Sequence, residues 1–72
     1  MELFNEFLSG RFQTLIDLLL LGGRQTQFTK RELEDIFVRN HIKRNAYDEI
    51  KYWMKLHILL PGEAKGSYRL AD

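Results

Sequence analysis

The chain has 72 residues, 44% of them apolar and 29% charged, with a net charge of +1 and no cysteine. That leaves room for one core, since a chain of this size buries only about 60% of its unfolded surface, and the balance is that of a folding domain rather than a disordered segment. Without cysteine, disulfide frameworks and thiolate metal sites are excluded, and a reducing, intracellular setting fits.

The first ten residues, MELFNEFLSG, carry Glu2 and Glu6 where an export signal wants positive charge. The longest apolar run, Leu18 to Leu21, is far shorter than the roughly 20 residues of a membrane span. A soluble cytoplasmic protein is expected, nucleoid-associated if its source is prokaryotic or viral, with no membrane partner. Charge is mildly polarised: Met1 to Ile42 hold five basic and six acidic residues, net −1, and Lys43 to Asp72 hold six basic and four acidic, net +2. The C-terminal half is the side on which a polyanion would be met.

Phe4, Leu8, Phe12, Leu15 and Leu19 recur at three- and four-residue spacing and predict one face of a first helix, the best candidate for the core. Gly10, preceded by Ser9, is a point of interruption, and a short helix followed by a longer one is as consistent as a single element. Gly22 and Gly23 are expected to end the helix by supplying a left-handed conformation. Leu3, Phe7 and Leu21 lie to one side of the apolar face and Ile16 and Leu20 to the other, a surplus beyond what one small core covers. Residues 1–10 are therefore expected to form a helical extension, with Leu3, Phe4, Phe7 and Leu8 as the contact of a two-fold homodimer. The alternative is that Gly10 lets the first segment fold back over the core.

RQTQFT gives a short extended piece, and Thr29 followed three residues later by Glu32 is a capping box opening a second helix. Leu33, Ile36 and Phe37 form its apolar stripe. Glu32, Glu34 and Asp35 load its early turns with negative charge, which favours the helix dipole and needs no metal, because no histidine sits beside them at ligand spacing. RNHIKRN breaks the pattern as a turn with Ile42 as its apolar plug. His41 and His57, far apart and without clustered partners, are read as solvent-facing or satisfied histidines rather than ligands.

RNAYDEIKYWMKL, from Arg44, predicts a third helix. At about 100° per residue, Trp53, Ala46, His57, Ile50 and Met54 share one arc, while Arg44, Lys51, Lys55, Asp48 and Tyr52 share the opposite one, with Tyr47 at the border. One face packs inward and the other presents cations and phenols. After it, ILLPGEAKGSYRL reads as a β-hairpin, with Pro61, Gly62 and Gly66 in the loop and an alternating second strand. Two strands alone are marginal, and QFT is placed to add a third.

The order is helix, short strand, helix, turn, helix, hairpin, an α+β domain spanning residues 1–72. This order resembles the winged helix-turn-helix family from about Arg11 onward. FTKRELEDIF matches the strand and first helix of the helix-turn-helix, RNAYDEIKYWMKL the recognition helix and HILLPGEAKGSYRL the wing. Ala46, Ile50, Trp53, His57 and Ile58 reproduce the family's apolar spacing. His57 stands where many members have glycine, and histidine also enters the left-handed region.

The resemblance implies a sequence-specific binder of double-stranded DNA, a transcriptional regulator, with the third helix in the major groove and the wing on the backbone or an adjacent groove. Arg44 is then suited to bidentate bonds with guanine and Asn45 with adenine, while Tyr47 and Tyr52 reach phosphate oxygens or thymine methyls. Asp48 would accept from a cytosine amino group or pair with Lys51 or Tyr52. Lys51, Lys55 and Lys65 are phosphate contacts, and Lys30 and Arg31 grip the backbone from the start of the second helix. No cofactor or small-molecule substrate is implied, and no spacing supports a nucleophile, base and orienter, so an enzyme is not expected. The alternative function is a protein-interaction or assembly module without DNA binding, since one fold hosts both uses.

Overall fold

The computed structural model describes residues 10–71. They form an α+β unit with three helices and a three-stranded antiparallel sheet, in the order α1 (Phe12–Gly22), β1 (Phe28–Thr29), α2 (Lys30–Arg39), α3 (Ala46–Lys55), β2 (Leu59–Pro61) and β3 (Ser67–Leu70). Strand β3 is central, with Phe28 opposite Tyr68 on one side and Leu59 opposite Leu70 on the other. The short β1 is thus the third strand that the hairpin needs. Pro61 sits on the edge strand β2, where its missing N–H breaks no ladder. No helix among the described residues is long and apolar enough to cross a membrane.

The core draws on five of these elements, with Leu18 from α1, Phe28 from β1, Leu33, Ile36 and Phe37 from α2, Ala46, Ile50 and Trp53 from α3, and Leu59 from β2, and Tyr68 and Leu70 of β3 pack partly against it. The stripe expected on α2 is the buried one, and on α3 Ala46, Ile50 and Trp53 are buried and Met54 packs partly, whereas His57, expected on the same arc, is exposed at the turn. The face expected on α1 is not the buried one. Thr14 and Leu18 are its buried residues and Leu15 and Leu21 pack partly, whereas Phe12 and Leu19 are 51% and 56% exposed. The reason is local: Leu18 to Leu21 are apolar all round the helix and leave its phase open, and a polar residue occupies the core line. Thr14 donates to the Gly10 carbonyl at 2.8 Å and accepts from the Asn40 amide at 3.1 Å, so its burial is satisfied. The proposed dimer residues Leu3, Phe4, Phe7 and Leu8 lie outside the described residues.

Gly10 has φ +100°, and a Cβ there would run into the Asn40 carbonyl, so the interruption marks a close approach between the entrance to α1 and the end of α2. Gly22 and Gly23 do not supply a left-handed end: Gly23 has φ −76° and Gly22 is needed because Leu70 packs where its side chain would be. The Thr29–Glu32 capping box forms in both directions, at 3.1 and 2.9 Å. The Thr29 N–H bond, then a bond from Gln25, holds Glu32 below its ordinary pKa. Similarly the Asn40 amide, the largest influence on Asp17, holds that carboxylate below its ordinary value despite some desolvation, with smaller help from Gln13 and Arg39.

Helices α2 and α3 end alike. His41 (φ 61°) and His57 (φ 63°) take the left-handed conformation, and the next residue in each case, Ile42 or Ile58, donates its N–H back to Phe37 or Trp53. Both are Schellman endings with an isoleucine plugged against the core. The His57 turn follows the sequence expectation; the matching turn at His41 had no glycine or family position to announce it.

Candidate nucleic-acid interface

Helix α3 begins where Asn45 caps it, its side-chain oxygen accepting the Tyr47 N–H at 2.8 Å. The cap fixes Asn45 at the mouth of the helix and commits its oxygen, leaving the amide NH2 as its outward donor. From that start the pitch sends Ala46, Glu49, Ile50 and Trp53 inward and Tyr47, Asp48, Lys51 and Lys55 outward, all four exposed. Arg44, just before the cap, is exposed beside them, and Arg44, Asp48, Lys51, Tyr52 and Lys55 line one shallow depression.

Tyr47 organises a second part of the face. The Lys30 ammonium, from the first turn of α2, lies 4.9 Å from the centre of its ring, and that of Lys51 lies 5.9 Å away. Two helices thereby bring two cations to one exposed phenol, at distances where the ring's negative face attracts them. Arg31 is exposed one residue along α2 from Lys30. Lys65 is on a separate element, the exposed β2–β3 turn before Gly66.

Tyr52 departs from the expected arrangement. It is half-buried rather than presented to solvent, because the Arg11 guanidinium stacks 4.0 Å from its ring centre and Trp53 packs edge-on to it. Asp48 makes no ion pair with a described residue and so does not neutralise Lys51.

The residue that the helix-face reading missed is Glu49. It is fully buried, and its carboxylate accepts two bonds from Arg11 at 3.0 Å each and one from the Trp53 indole N–H at 3.0 Å, with Arg44 at 3.8 Å. A buried charge must be paired and hydrogen-bonded, and here it is both. The consequence is electrostatic. One of the two acidic residues of α3 is withdrawn from the outer face and cancelled internally, so Asp48 alone opposes Arg44, Lys51 and Lys55 there. A carboxylate falling in the same helical arc as Ala46, Ile50 and Trp53 was the available signal.

Among the described residues no group of three or more His, Asp or Glu is placed to hold a metal ion, and His41 and His57 sit at separate helix ends. Comparisons of the chain with protein-family models, with curated protein sequences and with solved structures find no match in any of the three.

Proposed function

We propose that the chain is a winged helix-turn-helix protein that binds double-stranded DNA in a sequence-specific manner as a transcriptional regulator. In this reading α2 and α3 are the helix-turn-helix, α3 enters the major groove and the β2–β3 hairpin is the wing. The observation that carries it is the outer face of α3: exposed Arg44, Lys51 and Lys55, an exposed Tyr47 with Lys30 and Lys51 over its ring, and Glu49 removed from that face by its pairing with Arg11. A major groove about 12 Å wide admits one helix, and such a face offers cations for phosphates and donors for base edges.

Selection of bound sequences from random duplexes tests the reading directly. Arg44→Ala should relax the preference at particular base pairs, by about 1–3 kcal/mol if the contact is bidentate. Lys55→Ala and Lys65→Ala should instead weaken all duplexes alike and lower the salt slope by about one each. No enrichment, together with no salt-sensitive duplex binding, would remove the DNA reading.

The homodimer expected of this chain is supported by α1, where Ile16, Leu19 and Leu20 are exposed, Leu20 by 65%. An apolar face of this kind marks an interface, and a second copy of the chain is the partner proposed for it. The dimer is compatible with DNA binding, since it would present two recognition helices to half-sites about one helical turn apart. In sedimentation equilibrium at micromolar concentration the unaltered chain should have a dimer mass that Leu20→Glu reduces to monomer; a monomer mass for the unaltered chain would rule the dimer out.

A further inference from the structure

The depression on the outer face of α3 shares Arg44 with another. The other is larger, about 470 Å³, and lies between the entrance to α1 and the turn joining α2 to α3, among Gly10, Arg11, Asn40, His41, Lys43 and Arg44. Its walls are fixed by backbone. Gly10 closes on the Asn40 carbonyl without room for a side chain, and the left-handed turn at His41, with Ile42 bonded back to Phe37, sets the direction of the chain through Lys43.

Among the described residues, no acidic one lines this cleft. Arg11 contributes little net charge, because it is paired with Glu49 through two bonds. Lys43 and Arg44 are exposed, Lys43 makes no ion pair with a described residue, and Arg44 reaches Glu49 only at 3.8 Å. Through Arg44 the two depressions form one track, with Lys43, Arg44, Lys51 and Lys55 along it and Asp48 as the single acid among its described lining residues.

We infer that the sugar-phosphate backbone of DNA held against α3 continues across the α2–α3 turn, where Lys43 takes its phosphates at the cleft beside the base-reading Arg44. The inference rests on the DNA reading and extends its footprint toward the entrance to α1, away from the hairpin. A polymer suits the track better than a free anion does. Exposed contacts of this kind are individually weak, and the cleft is open to solvent, so an isolated phosphate would be held poorly. A nucleic-acid strand engages several cations at once and gains from the counterions released at each.

The test measures binding of a short mixed-sequence duplex by fluorescence anisotropy across a salt series. Lys43→Ala should weaken binding severalfold at low salt, irrespective of sequence, and lower the slope of log affinity against log salt by about one. Arg24→Ala removes the same charge from the α1–α2 groove, among Asp17, Glu32 and Asp35, and should leave the slope unchanged. Equal effects of Lys43→Ala and Arg24→Ala would reduce the result to net charge and overturn the inference. So would an unchanged slope in Lys43→Ala while Lys51→Ala with Lys55→Ala lowers it by about two, an outcome that leaves the DNA reading standing. Absence of any salt-sensitive binding by the unaltered protein overturns both.

Discussion

Trp53→Ala is expected to destabilise the protein by about 3–5 kcal/mol, the usual range for truncating a buried large aromatic. Trp53 is 3% exposed at the centre of the core, so the mutation opens a cavity bordered by α3 and its neighbours. It also removes the indole N–H from Glu49, and a buried carboxylate that loses a donor adds its own penalty. A chain of this length has a total stability of roughly 4–11 kcal/mol by the usual per-residue range. The loss is therefore comparable with the whole. Thermal melting or urea denaturation reads it, and a variant whose transition barely moved would mean that Trp53 is not the keystone of the core and that α3 is rotated from the orientation described.

The parts of this fold that were legible in the sequence are those where local chemistry and tertiary packing ask for the same residue. Thr29 and Glu32 cap α2 by bonds that span three residues, so the sequence spacing is itself the geometry. The outer arc of α3 is legible for a similar reason: Lys51, Lys55 and Asp48 share a helical face and are exposed on it. Helix α1 was not legible in phase. With apolar residues on every side from Leu18 to Leu21, burial is decided by what α2 and β3 present, and the deciding contact is the polar one from Asn40 to Thr14. The candidate site was misjudged where partners come from afar. Arg11 and Glu49 are 38 positions apart, and no periodicity within α3 says that an arginine from the entrance to α1 will reach its buried carboxylate. What α3 alone did say was that Glu49 lies on the apolar side, and a carboxylate there requires a cation from somewhere.

That pairing sets the second large effect. Arg11→Met should destabilise by about 3–5 kcal/mol, because it leaves the Glu49 charge fully buried with only the indole N–H within hydrogen-bond distance. Glu49→Leu should also be costly, since it removes two bonds from the Arg11 guanidinium, whose side chain is 13% exposed, and leaves the indole N–H without its acceptor. The double variant replaces a buried ion pair by apolar side chains, an exchange that is often neutral or stabilising. Urea denaturation of the four proteins should therefore give non-additive losses, with a coupling energy on the order of 1–3 kcal/mol. Additive losses would mean that the two side chains do not depend on each other in solution. The same cycle should reach the outer face. With Arg11 gone, the nearest remaining cation is Arg44, 3.8 Å from the Glu49 carboxylate, and the attraction of an uncompensated buried charge draws its guanidinium inward. Folded Arg11→Met protein should then select duplexes as Arg44→Ala does, with relaxed preference at the same base pairs, while Arg11→Met with Glu49→Leu should recover the original selection. Retention of full sequence preference in folded Arg11→Met protein would show that Arg44 is held on the outer face without help from the buried pair.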